Sequence, residues 1–326
     1  MGARLIGRLS AGVQYRADSG IDAFSDRLPI LPFAMSLATE FKEILKPQAP
    51  IAERTWFQTG GAAEYFAEPQ SVEQLQQLVK RCHSEGLTVR VLGGGSNVLV
   101  RDEGVSGMVV SLAAPAFSAI TASGETIKAG GGAVLAEVIS ESVRRGLAGL
   151  DPLVGIPGVI GGALHGNAGS RGGDIGQWTC SATVMTRAGE IVTRSREEMI
   201  FAYRKSSLDE LVILDAEFHL EEDNPEQLTK RLQKQWIIKK ASQPMADERT
   251  GCIFKNPRGM SAGMLIDQAG LRGASVGEAR VSQKHANFIV AGKGASSEDI
   301  LKLIDTVRSR VAERLGVELE TELEIW

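Results

Sequence analysis

Thr88-Val-Arg-Val-Leu-Gly-Gly-Gly-Ser-Asn-Val-Leu-Val100 is the stretch around which the chain organises itself. Thr88 to Leu92 carries the β-branched residues of a short strand, and Gly93-Gly-Gly-Ser-Asn97 interrupts it at once. Consecutive glycines leave a row of backbone N–H groups with no side chains in front of them, a concavity that suits a pyrophosphate. A tight turn alone would use the same residues. Two common phosphate loops are excluded by what is missing. No lysine follows in the register G-x-x-x-x-G-K-[ST], and the glycines do not form G-x-G-x-x-G with an acidic residue about 20 positions later. Two further clusters, Gly130-Gly-Gly132 and Gly155-Ile-Pro-Gly-Val-Ile-Gly-Gly162, lie within about 80 residues of the first. Together they point to several loops wrapped around one extended ligand of dinucleotide size.

Outward from this stretch the elements alternate. Val72, Leu75, Leu78, Val79 and Cys82 recur at helical spacing between Ser71 and Gly86, which predicts an amphipathic helix. Ile127-Lys-Ala129 predicts a strand, Gly130–Gly132 a strand-to-helix turn, and Ala133 to Arg145 a helix. Ala182 to Arg194 has the pattern of a hairpin turning at Arg187-Ala-Gly189, and Val212 to Leu220 alternates as a half-buried strand. Asn224-Pro225 starts a helix to about Lys240. Ser296 to Asp299 has the form of a capping box ahead of the apolar stripe Ile300, Leu303, Ile304, Val307 and Val311. A closing strand is expected over Val317 to Ile325. The fold class is therefore α+β, with composition shifts near residues 110 and 222.

The 326 residues supply material for two or three domains. Lys plus Arg is 36 and Asp plus Glu 40, a net charge of −4 that argues against a nucleic-acid binder. Glycine is in excess, 37 residues or about 11% against a usual ~7%. No apolar run approaches the ~18–20 residues of a membrane helix, and the N-terminus lacks the apolar core of a secretory signal. Residues up to about Pro32 show no periodicity and are expected to be a flexible extension, with Met35 a candidate start. Cys82, Cys180 and Cys252 are odd in number and widely spaced, and the four histidines lack ligand spacing, so neither a disulfide framework nor a metal site is expected. A reducing cytoplasm fits.

Seven motifs occur in order: Thr55-Trp-Phe-Gln-Thr-Gly-Gly61, Val91–Leu99, Gly155–Ala163, Asn167-Ala-Gly169, Phe201-Ala-Tyr-Arg204, Gly251-Cys-Ile-Phe-Lys-Asn-Pro257 and Lys284-His-Ala-Asn-Phe288. Each is weak alone. Together, from about residue 38 to the C-terminus, they resemble the UDP-N-acetylenolpyruvoylglucosamine reductase family, in its shorter variety. These are FAD enzymes that complete UDP-N-acetylmuramate synthesis for peptidoglycan. The resemblance implies a vanillyl-alcohol-oxidase-like FAD-binding fold with two FAD subdomains (38–110 and 111–222) and a separate α+β substrate domain (223–326). It also implies that the C-terminal strand returns to the active site, behind an extension at 1–37. It implies non-covalent FAD held by Gly93, Gly94, Gly95, Ser96, Asn97, Gly158, Gly161, Gly162 and Asn167, with Gly60 in a converging loop. Ile156 and Pro157 are expected against the flavin ring, although Pro157 could serve only as a rigid turn. Gln58 stands where many relatives carry a basic residue.

The reaction implied is reduction of UDP-N-acetylglucosamine enolpyruvate by NADPH: FAD transfers hydride to C3, and an acid protonates C2. Partners are then the UDP-sugar and NADPH, without nucleic acid or membrane insertion, in a cytoplasmic monomer. By resemblance Arg204 binds the substrate carboxylate and Glu322 acts with it. A carboxylate beside an enolate would repel it, so Glu322 is expected to be protonated or compensated by Arg204. Cys252 stands where better-known members have the serine that protonates C2. A thiol is a stronger acid and can do this while it stays protonated, and Lys255 is expected to lower its pKa. A small buried apolar cysteine is the alternative. Lys255, Asn256 and His285 are candidate substrate ligands and Tyr203 a candidate lining of the cleft. For His285 and Asn287 a core or turn role competes. Arg272 replaces a lysine common in relatives. A related FAD oxidase and a catalytically silent nucleotide-binding protein are the competing readings, and retention of Arg204, Cys252 and Glu322 argues against the second.

Overall fold

The computed structural model describes residues 37–170, 172–244 and 249–326. The expected N-terminal extension lies, but for Leu37, outside the described residues. Phe41–Trp326 forms one unit built on three sheets. The first contains β1 (Leu45–Pro50), β2 (Ala62–Ala67), β3 (Val89–Leu92) and β5 (Val105–Ser111) in the order β1-β2-β5-β3, with the short β4 (Val98–Leu99) outside it. β5 pairs in parallel with both β2 and β3. Parallel neighbours need a crossover, and between β2 and β3 helix α1 (Val72–Ser84) supplies it. Ser71 caps α1 by accepting from the Gln74 N–H at 3.3 Å, and Leu75, Leu78, Val79 and Cys82 form its buried face. Both features match the sequence pattern.

The second sheet is antiparallel throughout. It comprises β6 (Ile120–Ser123), β7 (Thr126–Gly130), β8 (Thr179–Met185), β9 (Ile191–Ser195) and β12 (Val212–His219), ordered β9-β8-β12-β7-β6. The small hairpin of β10 (Phe201–Ala202) and β11 (Lys205–Ser206) precedes β12. Ile127, Ala129, Ala182, Val184, Ala216 and Phe218 bury one face of the sheet in a core shared with helices α2 (Leu135–Arg144) and α3 (Ile160–His165). The Gly130–Gly132 turn lies where expected. Its glycines are demanded by packing, since a Cβ on Gly131 would fall 1.9 Å from the Ile213 carbonyl oxygen. Helix α4 (Pro225–Ser242) begins at Asn224, whose Oδ1 accepts from the Glu226 and Gln227 N–H groups, both at 3.0 Å. It lies against α2 and residues 151–153, where Arg231 Nε reaches the buried Asp151 carboxylate at 2.7 Å.

The third sheet, also antiparallel, is β13 (Thr250–Cys252), β14 (Ser275–Val276), β15 (Ala279–Val281) and β16 (Phe288–Ala291), ordered β13-β16-β15-β14. Helices α5 (Ala262–Gln268) and α6 (Ser297–Leu315) cover it, α6 presenting Ile300, Leu303, Ile304, Val307 and Val311. The capping box at Ser296 and Asp299 is formed on both sides. Asp102, far away in the sequence, adds a second cap by accepting from Ser297 N–H at 3.0 Å. Phe57 and Leu99 are buried in this same core, with the Phe57 ring filling the space a Cβ on Gly251 would need.

The closing strand is shorter than expected. Only Glu324–Ile325, β17, is strand, pairing in parallel with β4. Before it the chain crosses from the third sheet toward β4, bridging Phe254 at Thr321, so it makes isolated bonds and not a ladder.

Candidate active site

The two glycine loops meet. A Cβ on Gly94 would stand 3.0 Å from Gly158 Cα, one on Gly93 would stand 2.8 Å from Val159 Cγ2, and Ser96 Oγ donates to the Pro157 carbonyl at 3.5 Å. The carbonyls of Gly95 and Asn97 turn away to accept from Trp56 and Glu324 N–H. Among the described residues nothing accepts from the main-chain N–H groups of Gly94, Gly95, Ser96, Asn97 or Gly158. Unpaired amides of this kind on a loop whose next side chains are absent are what an anionic pyrophosphate requires. Thr59 Oγ1, beside Gly60, is likewise buried without a partner among the described residues. These features fit FAD. Gly162 faces open space at the start of α3, and Pro157 is exposed with Ile156 half-buried beside it.

Other glycines and Asn167 are engaged within the protein. Gly60 has φ +101° and presses on Val100, and Gly161 donates to the Gly131 carbonyl at 2.8 Å. Asn167 is buried. Its Nδ2 donates to Ala202 O at 2.9 Å and its Oδ1 accepts from Gly176 N at 3.1 Å, which ties the loop to the β10–β11 hairpin.

That hairpin carries Arg204 in its two-residue turn. Arg204 has φ +54°, a left-handed conformation in which glycine is the easy choice. Holding a non-glycine side chain there costs on the order of 1–3 kcal/mol. Arg204 Nη1 donates to Gly169 O at 2.9 Å, and its Nε lies 2.8 Å from Glu322 Oε1, both side chains 23% exposed. This is a charge contact without hydrogen-bond alignment, for Arg204 Nε is buried and has no properly directed partner among the described residues.

Glu322 arrives from the other end of the chain. Its N–H donates to Ile253 O at 2.7 Å and Lys255 N–H donates to Glu320 O at 2.8 Å, so residues 320–322 lie alongside the segment that follows Cys252. Asn97 Nδ2 donates to the Glu322 carbonyl at 3.0 Å, fastening the Gly93–Asn97 loop to the same segment. Burial raises the Glu322 pKa and the Arg204 charge opposes the rise. Both halves of the expectation, a tendency to protonation and compensation by Arg204, are present.

Cys252 completes the group. Burial pushes its thiol up to about 12, the Glu322 carboxylate adds to the rise, and Arg204 works against it. Lys255 does not act as expected on the thiol. Its Nζ is drawn to Glu320 Oε1 at 2.5 Å, and the cation felt at Cys252 is Arg204. The thiol is therefore held protonated, the state a proton donor needs.

The remaining candidates surround this centre. Tyr203, exposed, accepts from Asn256 N–H at its Oη (3.0 Å), linking the Arg204 hairpin to the Cys252 loop. Asn256 Oδ1 accepts from Ala262 N at 2.9 Å. His285 packs edge-on against Phe288 with ring centroids 5.1 Å apart and accepts from Asn287 N–H at Nδ1. Burial, then the Arg272 charge, lowers its pKa. Gln58 is exposed with φ +52°, and Arg272 grips Asp267 with two nitrogens, at 3.0 and 2.8 Å. Sequence reasoning missed Lys239. From α4 its Nζ donates to Val154 O at 2.5 Å, bracing the strand of chain that leads to Pro157. Burial brings its pKa down to about 8, aided by the nearby Arg204 charge. Nothing in its helical periodicity distinguishes it from Lys234 or Lys240.

Unpaired loop amides lie near a buried thiol and an arginine–glutamate pair, residues 63–195 match the profile of a FAD binding domain family, and the class of protein is a flavin-dependent oxidoreductase. Residues 243–326 match that of the UDP-N-acetylenolpyruvoylglucosamine reductase C-terminal domain. The chain is 37% identical to the UDP-N-acetylenolpyruvoylglucosamine reductase of Rhodopirellula baltica over 87% of its own length and 93% of that protein. It is 38% identical to the Listeria monocytogenes enzyme of that name, over 89% and 98%. The crystal structure of the Thermus caldophilus reductase superposes with a TM-score of 0.73 at 36% identity, covering 86% of this chain and 98% of that one. The chain belongs to the UDP-N-acetylenolpyruvoylglucosamine reductase family, and its fold is the FAD-binding, vanillyl-alcohol-oxidase-like α+β type that the motifs imply. No helix among the described residues is long and apolar enough to cross a membrane.

Proposed function

We propose that this chain reduces UDP-N-acetylglucosamine enolpyruvate to UDP-N-acetylmuramate with NADPH, in peptidoglycan precursor synthesis, using Arg204, Glu322 and Cys252 as its catalytic residues. The observation that carries the assignment of residues is the meeting of these three side chains, from three separate segments, next to the paired glycine loops. FAD, when bound, would supply the hydride chemistry that links NADPH to C3 of the enolpyruvyl group. The amides of Gly94, Gly95, Ser96, Asn97 and Gly158 would hold its pyrophosphate, Ile156 and Pro157 would offer apolar surface to its ring, and Lys239 braces their loop. Arg204 offers its guanidinium to the substrate carboxylate and to the negative charge that develops there. Glu322 keeps Arg204 in place, and the Arg204 charge compensates the Glu322 carboxyl group beside the developing negative charge. Cys252 donates its proton to C2: the S–H bond breaks, a C–H bond forms, and the electron pair stays on sulfur. Tyr203, Lys255 and Asn256 line the approach of the UDP-sugar, with His285 holding the turn behind them.

The proposed division is 38–110 and 111–222 for FAD and 223–326 for substrate. All three catalytic side chains come from one chain, so the site needs no residue from a second copy, and the proposal is of a monomer acting in the cytoplasm. The test is kinetic. Purified protein should show a flavin spectrum and oxidise NADPH only when the enolpyruvyl UDP-sugar is present. Cys252→Ser should keep substantial turnover, whereas Cys252→Ala should lose most of it while retaining FAD. A Cys252→Ala variant with wild-type kcat would remove Cys252 from the mechanism, and oxygen-dependent turnover without substrate would indicate an oxidase.

A further inference from the structure

We infer that Asn287 is the positioning residue of the proton donor: it fixes the Cys252 sulfur and stabilises the thiolate left after the proton has gone. The inference rests on the catalytic reading of Cys252 given above. Asn287 is 4% exposed, and all its side-chain bonds are to the Cys252 loop. Its Oδ1 accepts from Phe254 N–H at 3.0 Å, which identifies the oxygen of the amide, because only an acceptor can face that N–H. The other end must then be the NH2 group. One of its hydrogens goes to Phe254 O at 2.7 Å and the second to Cys252 Sγ at 3.3 Å. The backbone adds to the clamp, since Ile253 N–H donates to the Asn287 carbonyl at 3.0 Å.

A buried carboxamide tied to Phe254 at both ends would serve a turn equally well. The bond to sulfur is what a purely structural clamp does not need. A sulfur that accepts an N–H on one side must direct its own S–H elsewhere, away from Asn287. On proton transfer to C2 the sulfur keeps the electron pair and becomes negative. The N–H already aimed at it then becomes a hydrogen bond to a charged acceptor, the stronger kind. Its removal should slow the protonation step about tenfold or more.

The experiment separates the two half-reactions of the FAD-loaded enzyme by anaerobic stopped flow. Asn287→Ser removes the donor to sulfur. Asn287→Asp keeps the acceptor for Phe254 N–H but replaces the donor to Cys252 Sγ and Phe254 O with a carboxylate oxygen, and the NADPH half-reaction, which does not use Cys252, serves as the check on folding in both variants. In both variants reduction of the flavin by NADPH should stay within about twofold of wild type, and substrate-driven reoxidation should fall at least about tenfold, further in the Asp variant. In a Cys252→Ala background Asn287→Ser should add less than about twofold, because its effect passes through the sulfur. Equal losses in both half-reactions, or an undiminished Asn287 effect without Cys252, would overturn the inference while leaving the function intact. A wild-type enzyme whose flavin is not reoxidised by the enolpyruvyl UDP-sugar would overturn the functional reading, and this inference with it.

Discussion

Iodoacetamide should find Cys252 a poor target at pH 8, and the size of the effect follows from its surroundings. With burial and Glu322 pushing the thiol from the ordinary 9.0 up to about 12, the thiolate fraction at pH 8 falls from about one in ten to about one in ten thousand. A more basic thiolate is also a better nucleophile, and a Brønsted coefficient of about 0.4–0.5 returns roughly 15- to 30-fold. Alkylation should therefore run about 30- to 60-fold slower than in a peptide cysteine of ordinary pKa. The assay is the time course of carbamidomethylation on the Cys252 peptide, read by mass spectrometry between pH 7 and 11. Steric shielding alone would slow the reaction but leave the profile's midpoint near pH 9, so the shape of the profile decides. Glu322→Gln removes the carboxylate that raises the thiol and leaves Arg204 beside it, so its profile should shift to lower pH and its rate at pH 8 should rise. A Cys252 profile with its midpoint near pH 9, or one indifferent to Glu322→Gln, would refute the claim that this thiol is held protonated.

The raised pKa of Glu322 also has a stability consequence. Between its unfolded and folded values the folded chain binds more protons, so this group adds stability on the acid side that is lost as pH rises through the window. Urea denaturation should show Glu322→Gln gaining stability relative to wild type as pH increases through that range, with turnover lost throughout. Gly94→Ala places a Cβ 3.0 Å from Gly158 Cα and should weaken flavin binding about tenfold or more in a fluorescence titration, since loop backbone must move to admit it. Asp102→Ala removes the second cap of α6 and should cost about 1 kcal/mol, seen as a Tm about 1–2 °C lower with an unchanged flavin spectrum.

Much of the local structure was legible in the chain because its causes are local. Ser71, Asn224 with Pro225, and the Ser296–Asp299 box each satisfy amides two or three residues away, and the apolar stripes of α1 and α6 repeat within a turn. The expected strand at Val317–Ile325 failed for the same reason in reverse. Its alternation was real, with Leu319 and Leu323 buried, but whether an extended segment forms a ladder depends on a partner strand, and only β4 provided one.

The sequence by itself determined the helices and their caps, the glycine loops and, through the ordered motifs, the family with its candidate residues. It also marked Cys252 as a departure. The resemblance had already paired Arg204 with Glu322; tertiary structure alone decided that the cation felt at Cys252 would be Arg204 and not Lys255, and that Asn287 would reach the sulfur. Desolvation and charge coupling depend on which atoms surround a group in space. Residues brought together from the β10–β11 hairpin, β13 and the C-terminal segment leave no periodicity along the chain from which that environment could be read.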